Sequence, residues 1–97
     1  MAKGILVAVY NKIHDPDKFK AYAVDAGPAM EGQGARFLAR TENVLRLDGL
    51  APVRGVVAEF SSPEAAAAAY NSEEYQAAFK KLEGGVERQV FILEAME

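Results

Sequence analysis

Glu59 sits in the run RGVVAEF among apolar neighbours, where a desolvated carboxylate could act as a general acid or base. The competing reading is an ion pair with Arg36 or Arg40 of the run ARFLAR, in a register the sequence leaves open. Arg40 and Arg54 offer guanidinium forks that suit a carboxylate or an enolate, but a solvated or dimer-paired arginine fits both positions equally well. Tyr70 and Tyr75, with Tyr22 from an earlier segment, could turn hydroxyls toward a ligand or serve as core aromatics with one hydrogen bond each. His14, the single histidine, lies just before a helix start and could shuttle protons near neutral pH. With only Asp15 and Asp17 beside it, a metal site is not expected there.

The rest of the composition narrows the chemistry. The absence of cysteine removes disulfides, thiolate nucleophiles and sulfur-ligated metals together. Eleven basic and fourteen acidic residues are interspersed along the chain, for a net charge of −3, so no basic field awaits a nucleic acid. Ser61, Ser62 and Ser72 are explained as helix caps rather than nucleophiles. Gly32-Gln33-Gly34 leads out of a helix into a strand, the reverse of a phosphate-binding loop. The 97 residues, with 51% hydrophobic and 26% charged, suit one globular domain over 1–97. No apolar run approaches the ~20 residues of a membrane span, and GILVAVY is too short for a secretory leader, so a cytoplasmic protein with no membrane partner is expected.

These side chains must be positioned by a small set of elements. In GILVAVY, Ile5, Val7 and Val9 alternate with Leu6, Ala8 and Tyr10, which predicts a strand covered on both faces. Asp15-Pro16 reads as an N-cap followed by proline in the first helical turn, with Phe19, Tyr22, Ala23, Ala26 and Met30 on one helical face. Pro28 predicts an end or kink near Ala26-Gly27, with a separate turn through Met30. ARFLAR and VLRL then read as one long, bulged or bent strand, followed by a turn at Asp48-Gly49, a loop through Pro52, and a third strand in RGVVAEF. QVFILEAM, beyond Gly84-Gly85, is the fourth strand.

Between the last two strands, SSPEAAAAAYNSEEYQAAFKK switches from small to aromatic residues. Ser62 can cap a helix with Pro63 and Glu64 in its first turn, and the alanines let that helix lie close to the sheet. Asn71 with Glu74 resembles a capping box, so a second segment restarts there with Tyr75, Ala78, Phe79 and Leu82 as its stripe. A joint beside two tyrosines could leave a hollow between helices and sheet.

The element order is βαββαβ, the split arrangement of ferredoxin-like folds: a four-stranded antiparallel sheet with both helices on one face. Helices on one face leave the other apolar face to be buried, and a homodimer joined sheet to sheet is the simplest cover.

The segments DPDKFKAY, ARFLAR, VVAEFSSPEAAAAAYNSEEYQAA and VFILEA resemble a small bacterial family, domain of unknown function 1330, within the dimeric α+β barrel superfamily. The resemblance spans nearly the whole chain, and Tyr70 occupies a slot where that family often has tryptophan. It implies an α+β barrel built by a dimer and assigns no reaction. Members of the wider superfamily, similar only in fold, include cofactor-independent monooxygenases, small isomerases and haem-handling enzymes.

Two functions remain open from the sequence. One is a small-molecule-binding protein or cofactor-independent enzyme for a small organic acid or carbonyl compound, with Glu59 as acid/base, Arg40 and Arg54 as anion contacts, and Tyr22, Tyr70 and Tyr75 lining the pocket. The other is a non-catalytic dimeric binding or accessory module in which Glu59 and Arg40 only specify strand register and pairing.

Overall fold

The computed structural model describes residues 2–97. Strand β1 (Gly4–Ile13) places Gly4, Leu6, Ala8 and Tyr10 on a buried face and Ile5, Val7 and Val9 on a half-buried one. It pairs antiparallel with both β3 (Arg54–Phe60) and β4 (Val86–Glu94). Strand β2 (Arg36–Thr41) adds to the far side of β3, giving the order β2-β3-β1-β4.

The barrel implied by the family resemblance is not found. The four strands form one open sheet whose edges, β2 and β4, do not meet. Closure takes roughly eight strands before the interior has room for its own side chains. Here the inward side chains are covered by a helix layer instead, and ferredoxin-like describes the fold without the barrel.

Helix α1 (Pro16–Gly32) starts at Asp15, whose carboxylate accepts from the backbone N–H groups of Asp17 and Lys18. It does not break at Pro28, as the proline suggested, but continues to Gly32. The carbonyl that Pro28 leaves without a donor belongs to Val24, which is 70% exposed and open to water. Gly27 also has no Cβ to meet the proline ring, which removes the usual pre-proline conflict.

Helices α2 (Pro63–Tyr70) and α3 (Glu73–Lys80) complete the layer. Ser62 caps α2, and Ala66 and Ala69 are fully buried. The restart uses Ser72 rather than the Asn71 box: the Ser72 hydroxyl accepts from the Tyr75 amide, whereas Asn71 closes α2. The start of α2 comes so close to β1 that a Cβ on Gly4 would lie 2.5 Å from the Ser62 carbonyl. Leu6, Tyr22, Met30, Phe60, Tyr75 and Leu82 fill the core between the layers.

Two strand boundaries depart from the sequence reading. Strand β2 bulges between Phe37 and Ala39 and ends at Thr41, so VLRL lies in a loop. Thr41, opposite Gly55 at the start of β3, is the last residue of β2 with a partner. Leu45, Leu47 and Leu50 stand out from that loop, each at least 86% exposed. Strand β4, by contrast, begins at Val86, which brings Arg88 into the sheet opposite Tyr10.

On the face away from the helices, Val57, Val7 and Phe91 stand side by side across β3, β1 and β4, with Ile5 and Leu93 in the next row. Phe91 is 42% and Leu93 52% exposed. Among the described residues, no helix is long and apolar enough to cross a membrane.

Candidate ligand-binding cavity

A cavity of about 170 Å³ lies between α1 and the inward face of the sheet. From α1 it takes Phe19, Tyr22, Ala23, Ala26, Gly27 and Met30, successive members of one helical stripe. The sheet contributes Leu6, Ala8, Val56 and Val90 as an apolar floor. Tyr70 and Tyr75, from either side of the α2/α3 joint, form part of the wall.

The polar content of this cavity is one-sided. Arg40, Arg54 and Arg88 line it, together with four tyrosines, and no aspartate, glutamate, lysine or histidine does. Nor does any of the three arginines pair with a carboxylate among the described residues. Arg40 lies over the Phe37 ring, 4.6 Å from its centroid, and packs against the bare α-carbon of Gly27. Arg54 lies 5.1 Å over Phe19, and its buried Nε has no hydrogen-bond partner.

Arg88 is held by phenols. Its Nη1 donates to the Tyr10 and Tyr22 hydroxyls, each at 3.1 Å, and its Nη2 donates to the Tyr75 hydroxyl at 3.0 Å. The guanidinium also sits 4.8 Å from the Phe79 ring centroid. Burial opposes the charge on Arg88, but the three phenol oxygens, Tyr22 foremost, outweigh it and raise its pKa above that of free arginine.

Burial, reinforced by the Tyr22 neighbour, pushes the Tyr10 phenol up to about 12. Tyr22 rises likewise to about 12, from burial and then Tyr75, and burial raises Tyr75 as well. The cluster is therefore a cation held by neutral phenols at physiological pH, with its charge uncompensated.

A donor count shows what the cluster can offer. The Tyr22 and Tyr75 hydroxyls bond each other at 2.8 Å, which uses one of their two protons. The other proton, and that of Tyr10, remain available to a ligand oxygen. A guanidinium behind two polarised phenols is an anion-binding arrangement and resembles the donor groups that stabilise oxyanions.

The structure brings five of the sequence candidates, Tyr22, Tyr70, Tyr75, Arg40 and Arg54, to the wall of one cavity and leaves two outside it. Glu59 lies on the opposite face of β3, bonded to Lys3 at 3.3 Å and 3.7 Å from Arg36, its partner in the β2/β3 register. His14 pairs with Glu87 at the exposed end of β4. Sequence reasoning missed Arg88 and Tyr10. The signal for Arg88 was the alternation of V-E-R-Q-V-F-I, which continues the β4 pattern back to Val86, and that for Tyr10 was the alternation of GILVAVY, which puts it on the face of Leu6 and Ala8.

Among the described residues, no group of three or more His, Cys, Asp or Glu side chains is placed to hold a metal ion.

Fold and cavity together define a ferredoxin-like α+β protein with a cation-lined space between helix and sheet. Residues 3–96 match the family described as domain of unknown function (DUF1330), and the chain belongs to that family. No curated protein matches it in sequence.

Among solved structures, the chain is similar to RPA0582 of Rhodopseudomonas palustris, a protein of unknown function. The TM-score is 0.75 at 19% identity, over 99% of this chain and 84% of that one. It is also similar to SnoaB of Streptomyces nogalater, described as a cofactor-independent oxygenase, with TM-score 0.69, 13% identity, and coverage of 100% and 96%. A third similar structure is a dimeric ferredoxin-like protein of unknown function from Thermobifida fusca, with TM-score 0.64, 14% identity, and coverage of 97% and 92%. At these identities the likeness is one of fold.

Proposed function

We propose that this protein binds a small organic anion in the helix-sheet cavity. The observation that carries the proposal is the lining itself: three guanidinium groups and four phenols without one carboxylate, around an apolar body. Arg54 and Arg88 are partly withdrawn from water, which is costly for an unpaired charge, and a bound anion removes that cost. An apolar cavity of ~150 Å³ accommodates a benzene ring. The 170 Å³ available here therefore suits an acid with a single ring or a short chain. Tyr22, Tyr70 and Tyr75 form the wall, Arg40, Arg54 and Arg88 take the negative charge, and the ligand's apolar part lies against Phe19, Phe37 and Met30.

Binding is favoured over acid/base turnover because the cavity has neither carboxylate nor imidazole and its shifted phenols are held neutral. Glu59 belongs to the β2/β3 register, where it meets Arg36 and Lys3, and does not act on the ligand. The oxygenase described for SnoaB shares the fold, and the fold carries no reaction with it. The sheet face bearing Val7, Val57 and Phe91 is covered by a second copy of the chain. That assignment is supported by its exposed apolar side chains and by the dimeric state described for the similar structure from Thermobifida fusca.

The test is calorimetric titration with benzoate and with benzamide, which has nearly the same shape and no charge. Benzoate is expected to bind at least tenfold more tightly, the value of one charge-assisted contact. Equal affinity for the two, or none for either, would refute an anion site.

A further inference from the structure

We infer that the ligand is a dianion carrying two carboxylates on a short apolar spacer, with Arg54 and Arg88 each taking one. The inference rests on the anion reading of the cavity and concerns how many charges it is built to receive.

The register places the two arginines symmetrically. Tyr10 pairs with Arg54 on β3 and with Arg88 on β4, so the three side chains form one row across the inward face. With strands ~4.8 Å apart, the backbones of the two arginines lie about 10 Å apart, with Tyr10 between them. Each guanidinium is drawn partly out of solvent, whereas Arg40 is exposed and water screens it. Two shielded positive charges in one water-poor space, without a carboxylate on its wall, call for two negative ones.

The two arginines also differ in how far their donors are already engaged. Arg88 commits three N–H groups to Tyr10, Tyr22 and Tyr75. It is rigidly placed and reaches a ligand together with the phenol protons it polarises. Arg54 has a buried Nε with no partner at all, next to the ring of Phe19. A buried donor left unmade is a standing cost that a second carboxylate would remove. A monocarboxylate on Arg88 would leave that donor unanswered.

Benzoate, phthalate, isophthalate and terephthalate keep one ring and vary the presence and spacing of a second carboxylate. They are to be titrated calorimetrically into the full-length protein and into Arg54→Gln and Arg54→Lys. At least one dicarboxylate is expected to bind the wild type about tenfold or more tightly than benzoate. In Arg54→Gln that ratio should fall to near one, and in Arg54→Lys it should be partly retained. A merely structural Arg54 would weaken all four acids together and leave the ratio unchanged, which would overturn the inference. Benzoate binding as tightly as all three dicarboxylates would overturn it too, while leaving the anion reading standing. Failure of all four to bind would overturn the anion reading itself.

Discussion

Arg88 on β4 and Tyr10 on β1 are direct cross-strand partners, and the arginine Nη1 lies 3.1 Å from the tyrosine hydroxyl. The pairing puts a cation at the centre of an aromatic cluster, where Tyr22 and Tyr75 complete its hydrogen bonds. Strand register thus fixes the electrostatic character of the cavity.

Replacing Arg88 should lower ligand affinity and stability together. Arg88→Met removes the charge and keeps much of the apolar stem, but it leaves the buried Tyr10 hydroxyl without the donor that Arg88 supplied. Benzoate affinity should fall by about 1.5–3 kcal/mol, the range for a hydrogen bond to a charged group. Unfolding should be easier by about 1–3 kcal/mol, the cost of a buried polar group left unpaired. Unfolding and calorimetric titration of the same preparation check both.

The phenols give an alkaline signature. Tyr10 and Tyr22 carry pKa values of about 12 when folded, against the usual 10 or so in an unfolded chain. A group whose folded pKa is raised contributes stability that is complete below the unfolded value and lost as pH rises through the folded one. Stability should therefore decline from about pH 10 to about pH 12. In a spectrophotometric titration, Tyr10 and Tyr22 should ionise near the upper end of that window, and Tyr75 later than a free phenol. A Tyr22→Phe variant should lose one of the late-ionising groups.

Glu59→Gln should leave the cavity untouched. The carboxylate is on the far face, and in the single chain Lys3 and Arg36 are 58% and 74% exposed, so within one copy its ion pairs are well screened. A loss of no more than about 1 kcal/mol in denaturant unfolding is expected. Benzoate affinity should be unchanged; a large loss of binding would return Glu59 to the site.

Gly4 and Gly27 should respond differently to alanine, although an added Cβ meets a close neighbour at both. At Gly4 the obstacle is the Ser62 carbonyl at 2.5 Å and the Pro63 backbone, which cannot move without shifting the start of α2. A cost of about 1–3 kcal/mol, as for overpacking, is expected there. At Gly27 the obstacle is the flexible end of Arg40. Its displacement should lower anion affinity more than stability. Urea unfolding and benzoate titration of both variants make the comparison.

Charge placed on the outer sheet face should split the assembly without emptying the cavity. Val7 lies between Val57 and Phe91 on that face, opposite in direction to Leu6 and Ala8, which line the cavity. Val7→Lys should run as a monomer in light scattering, and the wild type is expected to run as a dimer. A wild-type monomer at micromolar concentration would refute the second-copy assignment.

Much of this architecture was legible from local chemistry. The cap at Asp15, the cap at Ser62 and the alternation in β1 each act over a few residues, and each appears where the sequence placed it. Errors arose where distant contacts decide. Pro28 costs α1 one backbone hydrogen bond, to the carbonyl of the exposed Val24, and the helix runs on to Gly32. The run VLRL has the composition of a strand but no partner beyond Thr41. Arg88 was hidden because a single arginine at a strand start reads as a solvated end. Its meaning comes from Tyr10, Tyr22 and Tyr75, which are remote in sequence. For Glu59 the sequence offered Arg36 or Arg40 as an ion-pair partner, and only the β2/β3 register, which no local signal sets, selects Arg36.

The anion site is tested most directly by a crystal structure of the protein with benzoate bound. The expected result is the ring in the helix-sheet cavity with its carboxylate in hydrogen-bond contact with Arg54, or with Arg88 and its phenols. A carboxylate facing solvent with the ring seated elsewhere, or an empty cavity at saturating benzoate, would contradict it.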